Sequence, residues 1–294
     1  MRKIIFLLMC LMSISLLFAD LNSGLVAKYL FTGNANDESG TGNNGTVYNA
    51  QPISDRDGNL NSAYGFGSNR YVLVPSNSTL NITNQITMVA WVYLHSGSSD
   101  WQSIYCKGGT SSMSSPYALL VKNYKIAFLP NRSEHYSSIS VPTEEWAHVA
   151  VTWDGSTIKY YVNGVKDAIE GSYSTSLNVY NNDLLIGKDA PGATEWFNGN
   201  LDDLYLYNRA LSESEIQELY IGGGAPQNIQ ITVNSDNVDI TWDAIDGATY
   251  NLYSSPNPNL PISQWSVEAS GLTGTSWSYV NSGDKMFYRV TAVF

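Results

Sequence analysis

The chain is predicted to be all-β, with two antiparallel sandwiches in series, on three observations. From Leu25 onward, short apolar runs alternate with Gly, Asn, Asp and Ser clusters, the pattern of strands cut by tight turns. Tyr (20) and Gly (24) are abundant while charged residues make up only 14% of the 294, so turn-formers are plentiful and the surface is polar more than ionic. A Gly-Gly-Gly-Ala-Pro stretch at 222–226 then interrupts the pattern and divides it into a long unit and a short one.

The first element is not part of either sandwich. Basic Arg2 and Lys3, an apolar run from Ile4 to Phe18 and Ala19 before Asp20 make the three parts of a secretory signal, so residues 1–19 are expected to be removed and the protein exported. The run is shorter than a membrane span needs. Without Arg2 and Lys3 the chain has 13 basic and 26 acidic residues, 13 − 26 = −13. Nucleic acid and anionic lipid are therefore not expected as partners of the whole surface. Cys10 leaves with the signal and Cys106 remains alone, so no intrachain disulfide is expected. Cys106, at an apolar strand end, reads as a small buried residue.

The long unit, 21–221, opens with strands expected at 26–31, 71–74, 87–94, 103–107, 117–122 and 125–129. The clearest stretch follows: 147–153, Asp154-Gly155, 157–162, Asn163-Gly164, then Val165 onward. Asp-Gly and Asn-Gly favour the positive backbone angles of tight hairpin turns, so these are consecutive antiparallel neighbours in a meander. In 87–93 both alternating sets of residues are apolar, which requires cover on both faces. Strands at 183–188 and 201–207 complete the unit. Ser212 with Glu215 three residues later forms a capping box that opens one short helix over 213–220. After the linker, the short unit 227–294 carries five expected strands, at 229–233, 238–242, 249–254, 276–280 and 286–293.

Three motifs in order carry a resemblance: YLFTGNANDESG with NNGT near the start, WAHVAVTWDGSTIKYYVNG in the middle, and FNGNLDDLYLYNRALSESEI at the close. Residues 25–220 resemble the LamG-like, concanavalin A-like jelly-roll domains of secreted proteins. The resemblance implies two antiparallel sheets, frequent Ca2+ binding and recognition of glycans or surface glycoproteins. VDITWDAIDGATYNLYSS and KMFYRVTAVF make the short unit similar to a fibronectin type III module, with Met286 where that family usually has a corner tyrosine.

A cation site is expected where the ends of the long unit meet. Asn34, Asp37 and Asp202 match the family positions nearest such a site, and Ca2+ takes six to eight oxygen ligands of these kinds. The alternative is that these Asn and Asp residues form turns by bonding their own backbone.

For a glycan, an exposed aromatic ring stacks on the apolar face of the sugar while polar groups bond its hydroxyls. Trp101 and Trp196 lie in loops and are the candidates, with Arg132 as a polar partner; Trp91, Trp146 and Trp153 sit in strands and are expected in the core. Arg132, Glu134 and His135 slightly resemble the RSE-containing motif of alginate lyases with this fold. The other motifs of those enzymes are missing, and no ExDxE strand, P-loop, GxSxG, zinc spacing or dinucleotide fingerprint occurs. The expectation is a binding protein for a glycan or cell-surface glycoprotein, without catalytic residues. A polysaccharide lyase or hydrolase and a purely structural adhesion spacer are the alternatives.

Overall fold

The computed structural model describes residues 21–97, 100–108, 115–189, 195–220, 229–233, 237–244, 249–257, 265–280 and 286–293. The signal at 1–19 and the linker at 222–226 lie outside the described residues.

The Asp154-Gly155 and Asn163-Gly164 turns join strands Trp146–Trp153, Thr157–Val162 and Val165–Lys166 in consecutive antiparallel pairing. Asn163 (φ 50°) and Gly164 (φ 72°) are both left-handed, which matches the turn to the twist of its strands. Trp146–Trp153 pairs on its other side with Ile86–Leu94, and that strand with Gly199–Tyr207. Ala63–Phe66 and Gln51–Ile53 extend this nine-stranded sheet. Leu25–Tyr29 pairs along Gly199–Tyr207, so the two ends of the unit lie side by side, as the sequence predicted. The second sheet has seven strands, in the order His135–Ser140, Lys125–Phe128, Ala118–Lys122, Gln102–Lys107, Leu184–Ile186, Tyr71–Val74 and Thr46–Tyr48. Together they make a two-sheet jelly-roll sandwich.

The period of two along Ile86–Leu94 assigns its faces. Ile86, Met88, Ala90, Val92 and Leu94 join Trp153, Phe128 and Val121 in the core between the sheets. Val89 faces outward and is covered, with Ala150, Tyr161 and Tyr207, by Ile216 and Leu219 of helix Glu213–Tyr220. That helix starts with the expected capping box: the Ser212 N–H donates to Glu215 Oε2 (2.7 Å) and the Glu215 N–H to Ser212 Oγ (3.3 Å).

Of Trp91, Trp146 and Trp153, the three tryptophans expected in the core, only Trp153 is there. Trp146 and Trp91 are half-buried on the outer side of the nine-stranded sheet. Trp91 lies under the Arg56 guanidinium, 4.5 Å from its ring centre, and Trp146 meets Tyr93 edge-on at 5.9 Å. Ile86–Leu94 is largely buried on both sides, so its composition did not reveal that Trp91 belongs to the outward set; Trp146 shares its outward set with His148 and Thr152.

The short unit is a small β-sandwich of two three-stranded sheets around Val238, Ile240, Trp242, Tyr250, Leu252 and Val290. Its described residues hold six strands rather than five. Ser266–Leu272 was missed because it lies at a sheet edge with mostly exposed side chains, which leaves no apolar alternation to read. No helix among the described residues is long and apolar enough to cross a membrane.

Candidate functional site

The outer side of the seven-stranded sheet carries a small apolar cluster of its own. Cys106, Ala118, Leu120, Ala127 and Leu129 form it, and Trp101, just before Gln102–Lys107, packs half-buried against it. The Lys122 ammonium lies 4.2 Å from the Trp101 ring centre and Tyr136 lies 6.1 Å away. Beside this cluster is a pocket of about 290 Å3. Trp101, Leu120 and Leu129 make its apolar wall; Arg132, Glu134, Asp189 and Glu195 make its polar one.

Two left-handed residues in succession aim Arg132: Asn131 (φ 47°) and Arg132 itself (φ 67°). Non-glycine residues there carry a cost of order 1 kcal/mol each, which the Asn131 side chain offsets. Its Nδ2 donates to the Tyr173 hydroxyl (2.7 Å) and the Ser176 carbonyl (2.9 Å), and its Oδ1 accepts from the Asn178 N–H (2.8 Å). Arg132 Nη1 then donates to both oxygens of Asp189, at 3.1 and 3.2 Å. Asp189 is 1% exposed, so the pair is fixed at the base of the site. Cys106 lies beneath it, fully buried, its thiol pushed well up by burial and then by the Asp189 carboxylate.

Glu195 reaches this pocket because the Asp189 N–H donates to its carbonyl (3.1 Å) and Lys188 bridges Trp196 across the same connection. Its Oε2 is buried with no hydrogen-bond partner among the described residues. Arg132 and Trp101 thus line one pocket, while Trp196 points elsewhere. It lies 6.1 Å from Tyr71, whose other neighbour Tyr48 stacks at 4.7 Å with a 6° interplanar angle. Lys188 sits 4.9 Å from both the Tyr71 and Trp196 rings. The connection after Leu184–Ile186 therefore serves a pocket with Asp189 and Glu195 and an aromatic platform with Lys188 and Trp196. Asp189, Glu195, Leu120, Leu129, Tyr71 and Tyr48 were not foreseen; the only local signal was their proximity in sequence to tryptophans or strand ends.

Arg132, Glu134 and His135 do not act as one group. Glu134 accepts from the Tyr136 hydroxyl, and His135 Nε2 is 3.1 Å from Ser133 Oγ, its ring 5.7 Å from Tyr173. His148 is fully buried between Trp91 and Tyr220, and burial followed by the Arg56 charge pulls it down to about 3.

Asn34, Asp37 and Asp202 serve three separate networks. Asn34 Oδ1 accepts from the Asn36 N–H (2.7 Å) in an exposed turn. Asp37 accepts from the Lys28 and Ser39 N–H groups through Oδ1, and from the Thr41 hydroxyl and Asn43 N–H through Oδ2. Asp202 is paired with Arg56 at 2.9 Å, and Asp203 with the same guanidinium at 2.7 Å. A bulge that places Asp203 at φ 44° turns the two successive carboxylates to one cation. These residues as placed do not fit a shared calcium site, since a cation would have to displace the guanidinium from Asp202. Among the described residues, no three His, Cys, Asp or Glu side chains gather as metal ligands.

A jelly roll with helix and arginine closing one outer side, and a pocket and aromatic platform on the other, has the architecture of a lectin-type domain. Residues 66–217 match the concanavalin A-like lectin/glucanases superfamily, and the chain belongs to it. Among solved structures it is similar to domain 4 of AbnA, a GH43 extracellular arabinanase from Geobacillus stearothermophilus, in complex with arabinotriose. The TM-score is 0.52 at 21% identity, over 67% of this chain and 98% of that one. It is also similar to a structure of botulinum neurotoxin type C, whose cell entry is described as dependent upon interaction with two ganglioside molecules, with a TM-score of 0.51 at 14% identity, over 81% of this chain and 67% of that one. At these identities the likeness is one of fold. A stretch of 83 residues is 34% identical to human adhesion G-protein coupled receptor D1, covering 27% of this chain and 10% of the receptor.

Proposed function

We propose that this is an exported glycan-binding protein whose long unit recognises carbohydrate on the outer side of the seven-stranded sheet, with the fibronectin-like unit as a spacer or attachment module. The observation that carries the reading is the pocket itself. A half-buried indole and two leucines form one wall, and an arginine locked onto a buried aspartate the other. Such a mixture of apolar ring and fixed polar groups is what a sugar needs. The dispersal of Arg132, Glu134 and His135 onto separate partners favours binding over turnover. Relatives in fold that were solved with arabinotriose, or are described with gangliosides, support the same reading.

The experiment is binding of residues 21–294 to an array of glycans and polysaccharides, with Trp101→Ala beside the parent. Saturable binding that Trp101→Ala weakens about tenfold or more, with no release of reducing ends or unsaturated uronates, supports the proposal. Undiminished binding by Trp101→Ala moves the site elsewhere. A blank array leaves an adhesion spacer as the reading.

A further inference from the structure

Resting on the glycan-binding reading, we infer that the pocket takes a single uncharged sugar residue and discriminates against acidic ones such as sialate or uronate. The first argument is charge. One guanidinium shares the pocket with the carboxylates of Glu134, Asp189 and Glu195, and the pocket's other lining residues, Trp101, Leu120 and Leu129, are apolar. Arg132 is not a free anion receptor, because its Nη1 is held by both oxygens of the buried Asp189. An incoming carboxylate would meet two further carboxylates at short range in a partly desolvated site, where like charges repel strongly.

The second argument is hydrogen-bond demand. Glu195 Oε2 is a buried acceptor without a donor among the described residues, and a buried polar group left in that state costs about 1–3 kcal/mol. A sugar hydroxyl supplies such a donor; a ligand carboxylate does not. Arg132 Nε and Nη2 make no hydrogen bond among the described residues and can donate to hydroxyl or ring oxygens of the same ligand. An uncharged polyol, both donor and acceptor at each hydroxyl, matches this pairing.

The third argument is size. About 290 Å3 lies just below the usual range of ligand pockets, roughly 300 to 1,000 Å3. That suits one ring with the Trp101 side at its apolar face, as at the end or branch of a chain.

The test compares matched glycans ending in an uncharged hexose or pentose with the same glycans ending in sialate or uronate, at low and at physiological salt. Parent, Glu195→Gln and Trp101→Ala are measured side by side, with melting temperatures to confirm folding. The inference expects uncharged ends to bind at least tenfold tighter than acidic ends, with affinity insensitive to salt, and Glu195→Gln to narrow that preference while weakening uncharged ends severalfold. Acidic ends bound as well or better, with binding still lost in Trp101→Ala, would overturn the inference and leave the proposed function standing. Parent-like affinity and preference in Glu195→Gln would also overturn it. No binding to any glycan would overturn both.

Discussion

Replacing Asp37 by Asn tests whether this carboxylate organises the first loop or serves a metal. The carboxylate fastens that loop to strand Leu25–Tyr29. Oδ1 accepts from the Lys28 N–H (3.0 Å) and Ser39 N–H (2.9 Å); Oδ2 accepts from the Asn43 N–H (2.8 Å) and lies 2.9 Å from the Thr41 hydroxyl. Thr41 has one proton and also lies 2.6 Å from the Val26 carbonyl, so it can turn away at little cost. The Asn43 N–H cannot, because Asn43 is 2% exposed and its Nδ2 is held by the Val26 carbonyl. The amide of Asp37→Asn would keep Oδ1 as acceptor but place an N–H against that donor. Losing one hydrogen bond to a charged acceptor and leaving its donor buried costs about 2–3 kcal/mol. In a unit of this size that lowers Tm by roughly 5–10 °C. Hydrogen bonds from Ser39, Lys28 and Asn43, opposed by burial, hold the Asp37 carboxyl below its ordinary value of 3.8. The unfolded chain therefore takes up the proton first on acidification. The contribution is complete above about pH 4 and is lost as pH falls through the native pKa. Thermal unfolding of parent and Asp37→Asn, in EDTA and in millimolar Ca2+, is the assay. The expected drop is the same in both buffers. An unchanged Tm in EDTA, or a drop confined to Ca2+, would refute the loop argument and make Asp37 a metal ligand.

Asp202 should give the opposite pH dependence. Burial, then the neighbouring Asp203 carboxylate, push it up to about 8 despite the Arg56 charge, so the folded Asp202–Asp203 pair keeps one proton that the unfolded chain releases near pH 4, while its remaining negative charge is balanced by Arg56. Stability from this group is complete below about pH 4 and declines as pH rises toward 8. Urea midpoints between pH 4.5 and 8 should therefore flatten in Asp202→Asn; a curve parallel to the parent's would count against the argument. Gly187 is left-handed at φ 80°, and a Cβ there would overlap the buried Phe66 ring at Cδ1 and Cε1. Gly187→Ala should cost about 3–5 kcal/mol in overpacking and backbone strain, visible as poor soluble yield or a Tm lower by roughly 10 °C; a Tm matching the parent's would show that Phe66 has room to move.

The sequence was most legible where local chemistry decides the structure. Asn163-Gly164 fixes a hairpin by the backbone angles both residues allow, the Asp154-Gly155 turn combines a left-handed Gly155 with an Asp154 carboxylate that accepts from the Ser156 and Thr157 N–H groups, and the Ser212/Glu215 box fixes a helix start by its own two hydrogen bonds. Legibility failed where a residue's role depends on a partner far along the chain. Gln51–Ile53 contains a proline and is a strand only because Ala63–Phe66 pairs with it. Asp202 reads as a calcium ligand until Arg56, 146 residues earlier, is seen to occupy it. The site behaves likewise. Arg132 and Trp101 were legible as residue types, but Asp189 meets Arg132 from 57 residues away, and Glu195 is carried in beside it on another connection.

What separates the two outer faces is how each apolar surface is covered. On the nine-stranded sheet, Ile216 and Leu219 seal Val89 and Ala150, and Arg56 lies over Trp91 while pairing with both Asp202 and Asp203. That face is closed over its apolar residues, and the buried His148 stays neutral there with neither ring nitrogen hydrogen-bonded among the described residues. On the seven-stranded sheet no helix among the described residues covers Leu120 and Leu129. The two leucines are nonetheless buried, with a half-buried Trp101 packed against their cluster; Tyr48 and Tyr136 stay 41% and 40% exposed, and a Glu195 oxygen is left without a donor among the described residues. Accessible aromatic rings beside an unmet acceptor are stabilised by a ligand that offers both a nonpolar face and a hydroxyl. The aliphatic cluster is buried on both faces, so it is the exposed aromatic rings, more than any uncovered aliphatic surface, that favour this side as the binding surface.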